Sequence, residues 1–326
     1  MGNTSSISES IAIRLISDKP VRKTPYQVKG VFMKQFSEEI IVPFLDGKLR
    51  NKYLYPRVQV KILNEKIYII GIKEGVDPVI SLIDNVKSFN FGNITINIDK
   101  YETEENIDQF KITEKLLSYK FITPWVALNK STGGKYRFLS NHEKSLFLNK
   151  LLGQNLLFIA KELGQEIKKK IYTKVIVDNN IPEKIDDNGW GAFTGEFKTN
   201  FILPNYTGMG NGMTRGYGTL YSLNNPNFLI EETYEEKIDD YVEEEITEED
   251  ELMTFVTIDD VPIMNKRKKH KKRSNNYRRK RKNKSNNASK IKYGKQKNRS
   301  QNKIDKDIDD ETRFNSEEYH KKQHDL

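Results

Sequence analysis

The sequence contains no cysteine. Without thiols it can build no disulfide framework, no Cys-ligated zinc or iron–sulfur site and no thiol nucleophile. Histidine is nearly as scarce: of four in the chain, only His142 precedes position 270. It falls in the first turn of a helix, where a surface role is the plain reading and catalysis the alternative. There is no His-Glu-x-x-His, no His-x-His and no dense carboxylate cluster at metal-ligand spacing, so metal-dependent hydrolase machinery has no basis here. No apolar run approaches the roughly 20 residues that span a bilayer. The start Met1-Gly2-Asn3-Thr4-Ser5-Ser6 lacks the basic-then-apolar profile of a secretory signal. Its fit to a loose N-acylation pattern is one that small residues reach by chance. The expectation is a soluble, cytoplasmic protein with no membrane partner, no metal and no other cofactor.

What the chain does have is charge, unevenly spread. Its 326 residues include 55 Lys or Arg and 46 Asp or Glu, a formal net charge of +9. Residues 226–263 hold fifteen acids and one lysine, 264–304 nineteen bases and no acid, and 305–326 eight acids and four bases. The first 225 residues therefore carry +8 by themselves, which points to a polyanionic partner. Beyond 225 no apolar periodicity would fill a core. Residues 226–263 read as an acidic disordered linker and 264–326 as a basic, then mixed-charge, disordered tail. The apolar islands 255–258 and 261–263 read as chance hydrophobics, with docking on a partner as the alternative. The basic block suits sequence-independent RNA or DNA binding that salt weakens, and the acidic block is a candidate to fold back on it when no RNA is bound.

Within the body, residues 11–16 read as a buried strand. Thr24-Pro25-Tyr26-Gln27 starts a helix, with a hydroxyl cap, Pro in the first turn and Gln three after the cap. Val28, Val31, Phe32 and Phe36 continue its apolar face to about Glu39. A loop over 42–55 leads to a strand at 57–63, a turn at Asn64-Glu65, a strand at 66–72, a helix within 75–87 and a strand at 94–98. The order β-α-β-β-α-β predicts a ferredoxin-like domain over 1–112. A second α+β unit, 113–225, contains a helix opened by the Ser140–Glu143 capping box and closed at Gly164, strands at 171–177 and 193–203, a glycine-rich segment and a short strand at 216–222.

The glycine-rich segment, Tyr206 to Gly218, suits close backbone approach to a ligand and amides turned toward phosphates. Arg215 adds a planar donor fork, and Tyr206 and Tyr217 are candidates for stacking on unpaired bases. It ends in no Gly-Lys-Ser/Thr and opens no helix, which argues against nucleotide-binding loops of known pattern. A mobile surface loop is the alternative. The loop 47–57 carries Lys48, Arg50, Lys52, Arg57, Tyr53 and Tyr55, suited to a phosphodiester or simply to solvent.

Taken together, the segments resemble a known family. In order come Lys29-Gly30-Val31-Phe32, Tyr53-x-Tyr55-Pro56-x-Val58-Gln59-x-Lys61, Gly71-Ile72-x-Glu74-Gly75, Leu128-Asn129 after Trp125, Leu148-x-x-Leu151-Leu152-Gly153-x-Asn155-Leu156, Phe193-Thr194-Gly195-Glu196-Phe197 and Arg215-Gly216-Tyr217-Gly218. They are similar to the CRISPR repeat-RNA endoribonucleases of the Cas-six family, subtype b, in the RAMP superfamily. The similarity covers about 10–222. It implies two ferredoxin-like (RAMP/RRM-like) domains in tandem and a C-terminal glycine-rich loop that contacts RNA. It also implies metal-independent cleavage of CRISPR precursor RNA by 2′-hydroxyl attack.

One departure stands out. The family's loop before the Tyr-x-Tyr-Pro entry usually carries histidine, whereas residues 40–47 here hold none. Tyr53, Tyr55, Lys34 and Lys52 are therefore the expected cleavage group. Gly208, Gly210, Gly212, Arg215, Gly216, Tyr217, Gly218, Arg50 and Arg57 are the expected RNA contacts. CRISPR repeat RNA is the expected partner, with a CRISPR effector complex and a second copy of the chain as further candidates. A non-catalytic subunit that retains or delivers guide RNA is the rival reading.

Overall fold

The structure, a computed structural model, describes residues 9–83, 85–185, 190–224, 244–245 and 253–260. The basic and mixed-charge tail and its expected interplay with the acidic block lie outside the described residues.

The first unit runs β1 (Ser10–Ser17), α1 (Pro25–Gln35), α2 (Val42–Leu45), β2 (Val58–Leu63), β3 (Lys66–Ile72), α3 (Val76–Ile83), β4 (Ser88–Asn90) and β5 (Thr95–Asn106). Its sheet order is β2-β3-β1-β5-β4 with antiparallel neighbours. Apart from the added β4, this is the split βαβ arrangement that the element order predicts. The Thr24–Gln27 capping box forms in both directions. Asn64 and Glu65 both take positive φ, 46° and 57°, as a two-residue hairpin requires to match strand twist. Ile11, Ile13 and Leu15 meet Val28, Phe32, Val79 and Leu82 in a buried core between sheet and helices. The expected loop at 42–55 is partly helical: α2 is followed by a 3-10 turn at Lys48–Asn51.

The second unit runs β6 (Ile112–Leu128), α4 (Lys130–Tyr136), α5 (Asn141–Glu162), β7 (Ile171–Val177), β8 (Glu183–Lys184), β9 (Gly191–Phe201), β10 (Leu220–Ser222), β11 (Glu244–Glu245) and β12 (Thr254–Val256). Its sheet order is β10-β6-β9-β7-β12. Without β12 the order repeats that of the first sheet, and the connection 202–219 replaces the second crossover helix. The Ser140–Glu143 box caps α5 as expected, and Gly164 follows it at φ +71°. The 17-residue β6 is not announced by the sequence pattern. Its register with β9 shifts three times, which breaks the alternation that marks a strand.

The two units share a core. The face of the first sheet turned away from its helices, with Ala12, Tyr68, Ile70 and Ile72, packs with Phe110, Leu203 and Tyr206.

Part of the acidic linker expected to be disordered is instead built into this body. Thr254–Val256 pairs antiparallel with β7. Val256 is 1% exposed and fills the space over Gly153, where an added Cβ would lie 2.6 Å from its methyl. Asn149 Nδ2 donates to Thr254 Oγ1 at 3.3 Å, and Thr173 Oγ1 donates to Thr254 O at 3.3 Å. Phe255 and Val256 of the island at 255–258 thus belong to a short strand whose partner is the chain itself, and Ile258 begins a 3-10 turn. Three residues are too few to show periodicity.

Candidate nucleic-acid interface

The glycine-rich connection is not a mobile surface loop. Side chains of the first unit hold it at four backbone groups. Gln59 Oε1 accepts from Gly208 N at 2.9 Å and Tyr55 Oη donates to Gly208 O at 3.0 Å. Lys61 Nζ donates to Met213 O at 3.0 Å, and Lys29 Nζ donates to Thr214 O. The second unit adds its own ties, Asn211 N to Val126 O at 3.0 Å and Gly218 N to Pro124 O at 2.9 Å.

The glycines serve this seating. At Gly208 a Cβ would lie 2.4 Å from Lys61 Nζ, and at Gly218, with φ +62°, 2.0 Å from Met209 O. The expected phosphate cradle is correspondingly narrower. The amides of Gly208, Met209, Asn211, Arg215, Gly216 and Gly218 are already donated. Those of Gly210, Gly212, Met213 and Thr214 have no acceptor among the described residues.

Lys61 is fully buried, and its one acceptor among the described residues is Met213 O. An ammonium with three donors gains little from one carbonyl. Burial, reinforced by the charge of Lys29, pushes Lys61 down to about 7. Burial pushes Lys29, half-buried beside it, down to about 8. The sequence singles out neither as an individual site, although both lie in the motifs that carry the resemblance. A lysine on an alternating strand looks solvent-facing until the loop covers it.

The segment 47–57 separates into two layers. Tyr55, expected in the cleavage group, is 0% exposed, and burial raises its phenol further above the ordinary tyrosine range. It is a pin beneath Gly208 and cannot reach a substrate. Arg57, expected to contact RNA, is also buried. Its guanidinium donates to Glu74 Oε2 at 2.6 Å, Tyr55 O at 3.0 Å and Glu162 O at 2.6 Å, tying the end of α5 to β2.

Above this layer Tyr53 remains half-buried, stacked on Phe44 at 6.0 Å. Lys52 Nζ lies 4.8 Å and the Arg57 guanidinium 4.7 Å from its ring. Arg50 and Lys34 are exposed, on the 3-10 turn and the last turn of α1. Where the family's histidine is expected, α2 stands instead and supplies Phe44.

At the other end of the loop Arg215 lies between two rings, 4.7 Å from Trp190 and 5.6 Å from Tyr217. Tyr217 is buried against Val126 and Ala192. Tyr206 is buried too, at φ +64°, between Tyr68 at 4.9 Å and Tyr221 at 5.9 Å. Neither tyrosine is free to stack on a base, which corrects the expectation for both. Trp190, absent from the expected site, is the ring left half-exposed beside Arg215. Among the described residues no cluster of His, Asp or Glu is placed to hold a metal.

Two split βαβ sheets in tandem, the second with a glycine-rich connection in place of its second crossover helix, define a RAMP-type, tandem ferredoxin-like protein. Family models give the particular assignment: the Cas6b N-terminal domain matches residues 9–109 and the Cas6b C-terminal domain residues 111–223. The chain belongs to the Cas6b family. A crystal structure of Cas6b is 29% identical, with a TM-score of 0.54 over 65% of this chain and 98% of that one. A second, described as the CRISPR RNA processing endoribonuclease Cas6b, is 27% identical over the same shares, with a TM-score of 0.48. An uncharacterized protein of Methanocaldococcus jannaschii is 29% identical over 139 residues, 43% of this chain and 95% of that protein.

Proposed function

We propose that the protein binds CRISPR precursor RNA and cleaves it within the repeats. The 2′-oxygen beside the scissile phosphate forms a bond to phosphorus, and the bond to the 5′-oxygen of the next nucleotide breaks. The 2′-hydroxyl gives up one proton and the leaving oxygen takes one, so a cyclic phosphate and a 5′-hydroxyl result without water or metal entering the balance. Membership of the Cas6b family in both halves of the body is the observation that carries this reading.

The work left to the protein is to align the attack and stabilise the charge that develops on phosphorus oxygens. Tyr53, with Lys52 and Lys34, remains the cleavage group in this reading. Tyr55 drops out, and Lys29, at the mouth of the loop with a lowered pKa, joins as a donor to phosphate. Arg215, Gly210, Gly212 and Arg50 remain as RNA contacts, with Trp190 added. Gly208, Gly216, Tyr217 and Gly218 act behind the surface by seating the loop, and Arg57 by tying the end of α5 to β2.

One observation favours a second reading, an RNA-binding subunit that does not cut: the histidine position is filled by α2. Losing a general acid or base costs about 10²–10⁴ in rate, so the enzyme of the first reading is slow and holds its product. Incubation with its own repeat RNA in EDTA decides between them. Products ending in a cyclic phosphate support the nuclease, and stable retention of uncut RNA supports the subunit.

A further inference from the structure

The strand contributed by the acidic segment is fastened along one helix. Thr254 is held by Asn149, Val256 sits over Gly153, and Gln154 Nε2 donates to Asp260 O at 3.4 Å. The chain thus advances along α5 toward that helix's C-terminal end. Past Val256 a turn locks it: Thr257 N donates to Asp260 Oδ2 at 3.0 Å and Asp260 N to Thr257 O at 2.9 Å. Lys150 Nζ pairs with the Asp260 carboxylate at 3.5 Å. Further along the same helix Glu162 Oε2 accepts from Leu54 N at 2.9 Å, and Leu54 directly follows Lys52 and Tyr53. At a rise of about 1.5 Å per residue, Gln154 lies about 12 Å along the helix from Glu162 and the segment it holds.

We propose that residues 254–260 are a tether: they root the basic arm 264–304 beside the Lys52–Tyr53 segment, so that the arm grips the RNA flanking a bound repeat. In the sequence Lys266 comes six residues after Asp260, and seven of the nineteen bases fall within 266–273. Six residues span at most about 20 Å. That exceeds the length of helix between the fastening and Glu162, so the arm begins within reach of RNA held there. A short link keeps the arm at about millimolar local concentration, and a chain tied to the body only near residue 224 would dilute it.

Charge selects the partner. Lys48, Arg50 and Lys52 lie on the segment that Glu162 holds, and a second cationic stretch brought beside them is repelled unless a polyanion lies between. In the sequence the tether stands between the acidic and basic blocks. Asn149, Gly153 and Lys150 fix it to the body, so the arm's root does not depend on the acidic block for its place. The tether lies beyond residues 111–223, which the family model matches. The inference rests on the RNA-binding reading and uses none of the chemistry of cleavage.

Two substitutions in the full chain release the strand from opposite sides. Gly153→Ala favours the helix itself but sets a Cβ 2.6 Å from the Val256 methyl, and Val256→Asp puts a charge into the same space. Both should speed hydrogen exchange over 253–260 while β9 stays protected. The probe is repeat RNA with its natural flanks, made uncleavable by a 2′-deoxyribose before the scissile phosphate. Both variants should bind it about fivefold more weakly than the parent, and the repeat without flanks equally well. Twelve Gly/Ser residues inserted after Ile263 leave the strand docked and lengthen the link from Asp260 to Lys266 threefold. They should weaken binding of the flanked RNA about fivefold, by the −3/2 power of length. Parental affinity for the flanked RNA in all three variants overturns the proposal, as does an equal loss for the repeat without flanks. Tighter binding on release of the strand also overturns it, by making the acidic block the arm's partner. If the expected differences appear and the natural repeat is never cut, the nuclease reading fails while the tether stands.

Discussion

At Tyr55 the phenol oxygen donates to Gly208 O inside a site closed to solvent. Two positions earlier, Tyr53 lies at the surface with cations over its ring. Their substitutions should therefore behave oppositely. Tyr55→Phe is expected to lower stability by about 1 kcal/mol, one buried hydrogen bond, and to leave cleavage of bound RNA within about twofold. Tyr53→Phe is expected to leave the urea midpoint in place and slow cleavage at saturating RNA. A cleavage defect confined to the Tyr55 variant would reverse the assignment.

Lys61 and Lys29 are half-protonated near 7 and 8 when folded, below the ordinary 10.5. The unfolded chain then holds more protons between about 7 and 10, and stability rises with pH across that interval. Urea midpoints at pH 6.5 and 9.5 should show the rise, and Lys61→Met should flatten it. An equal rise in the variant would remove Lys61 as its source.

Among elements, the glycine-rich connection and β12 carry the most consequence. Gly218 combines φ +62° with a Cβ position 2.0 Å from Met209 O. Gly218→Ala is expected to cost about 1–3 kcal/mol and to weaken repeat-RNA binding through the displaced loop. A thermal midpoint equal to the parent's would show that the backbone there relaxes freely. Two of the three helices with capping boxes, α1 and α5, were legible because a capping box is local chemistry, written in residues three apart. The long β6 was not, because its register shifts interrupt the alternation. β12 was not, because its stability comes from Gly153, Asn149 and Thr173, which lie between 81 and 105 residues away along the chain.

For the whole molecule, two sources of RNA affinity are expected to be separable by salt. In the proposed function the nineteen bases of 264–304 are expected to bind by counterion release, with a slope of about 0.7 per phosphate contact on single strands. In the proposed function the seated loop is what reads shape and sequence. Removing residues 264–326 should make the plot of log affinity against log salt several units shallower, while the preference for repeat over unrelated RNA persists. Loss of that preference with the tail would place recognition outside the body.

The sequence by itself determined the charge layout, the absence of thiol chemistry, the helix caps, the strand order of the first unit and, through motifs in register across both halves, the family. Each of these is local or compositional, so no neighbour far along the chain is needed to read it. Only the tertiary structure decided which of two tyrosines two positions apart faces solvent, that Arg57 and Tyr217 serve packing, that Lys29 and Lys61 meet the loop, and that a strand from the acidic segment completes the second sheet. Those outcomes depend on what is laid on top of a residue, and the covering chain is too far away in sequence for any periodicity to announce it.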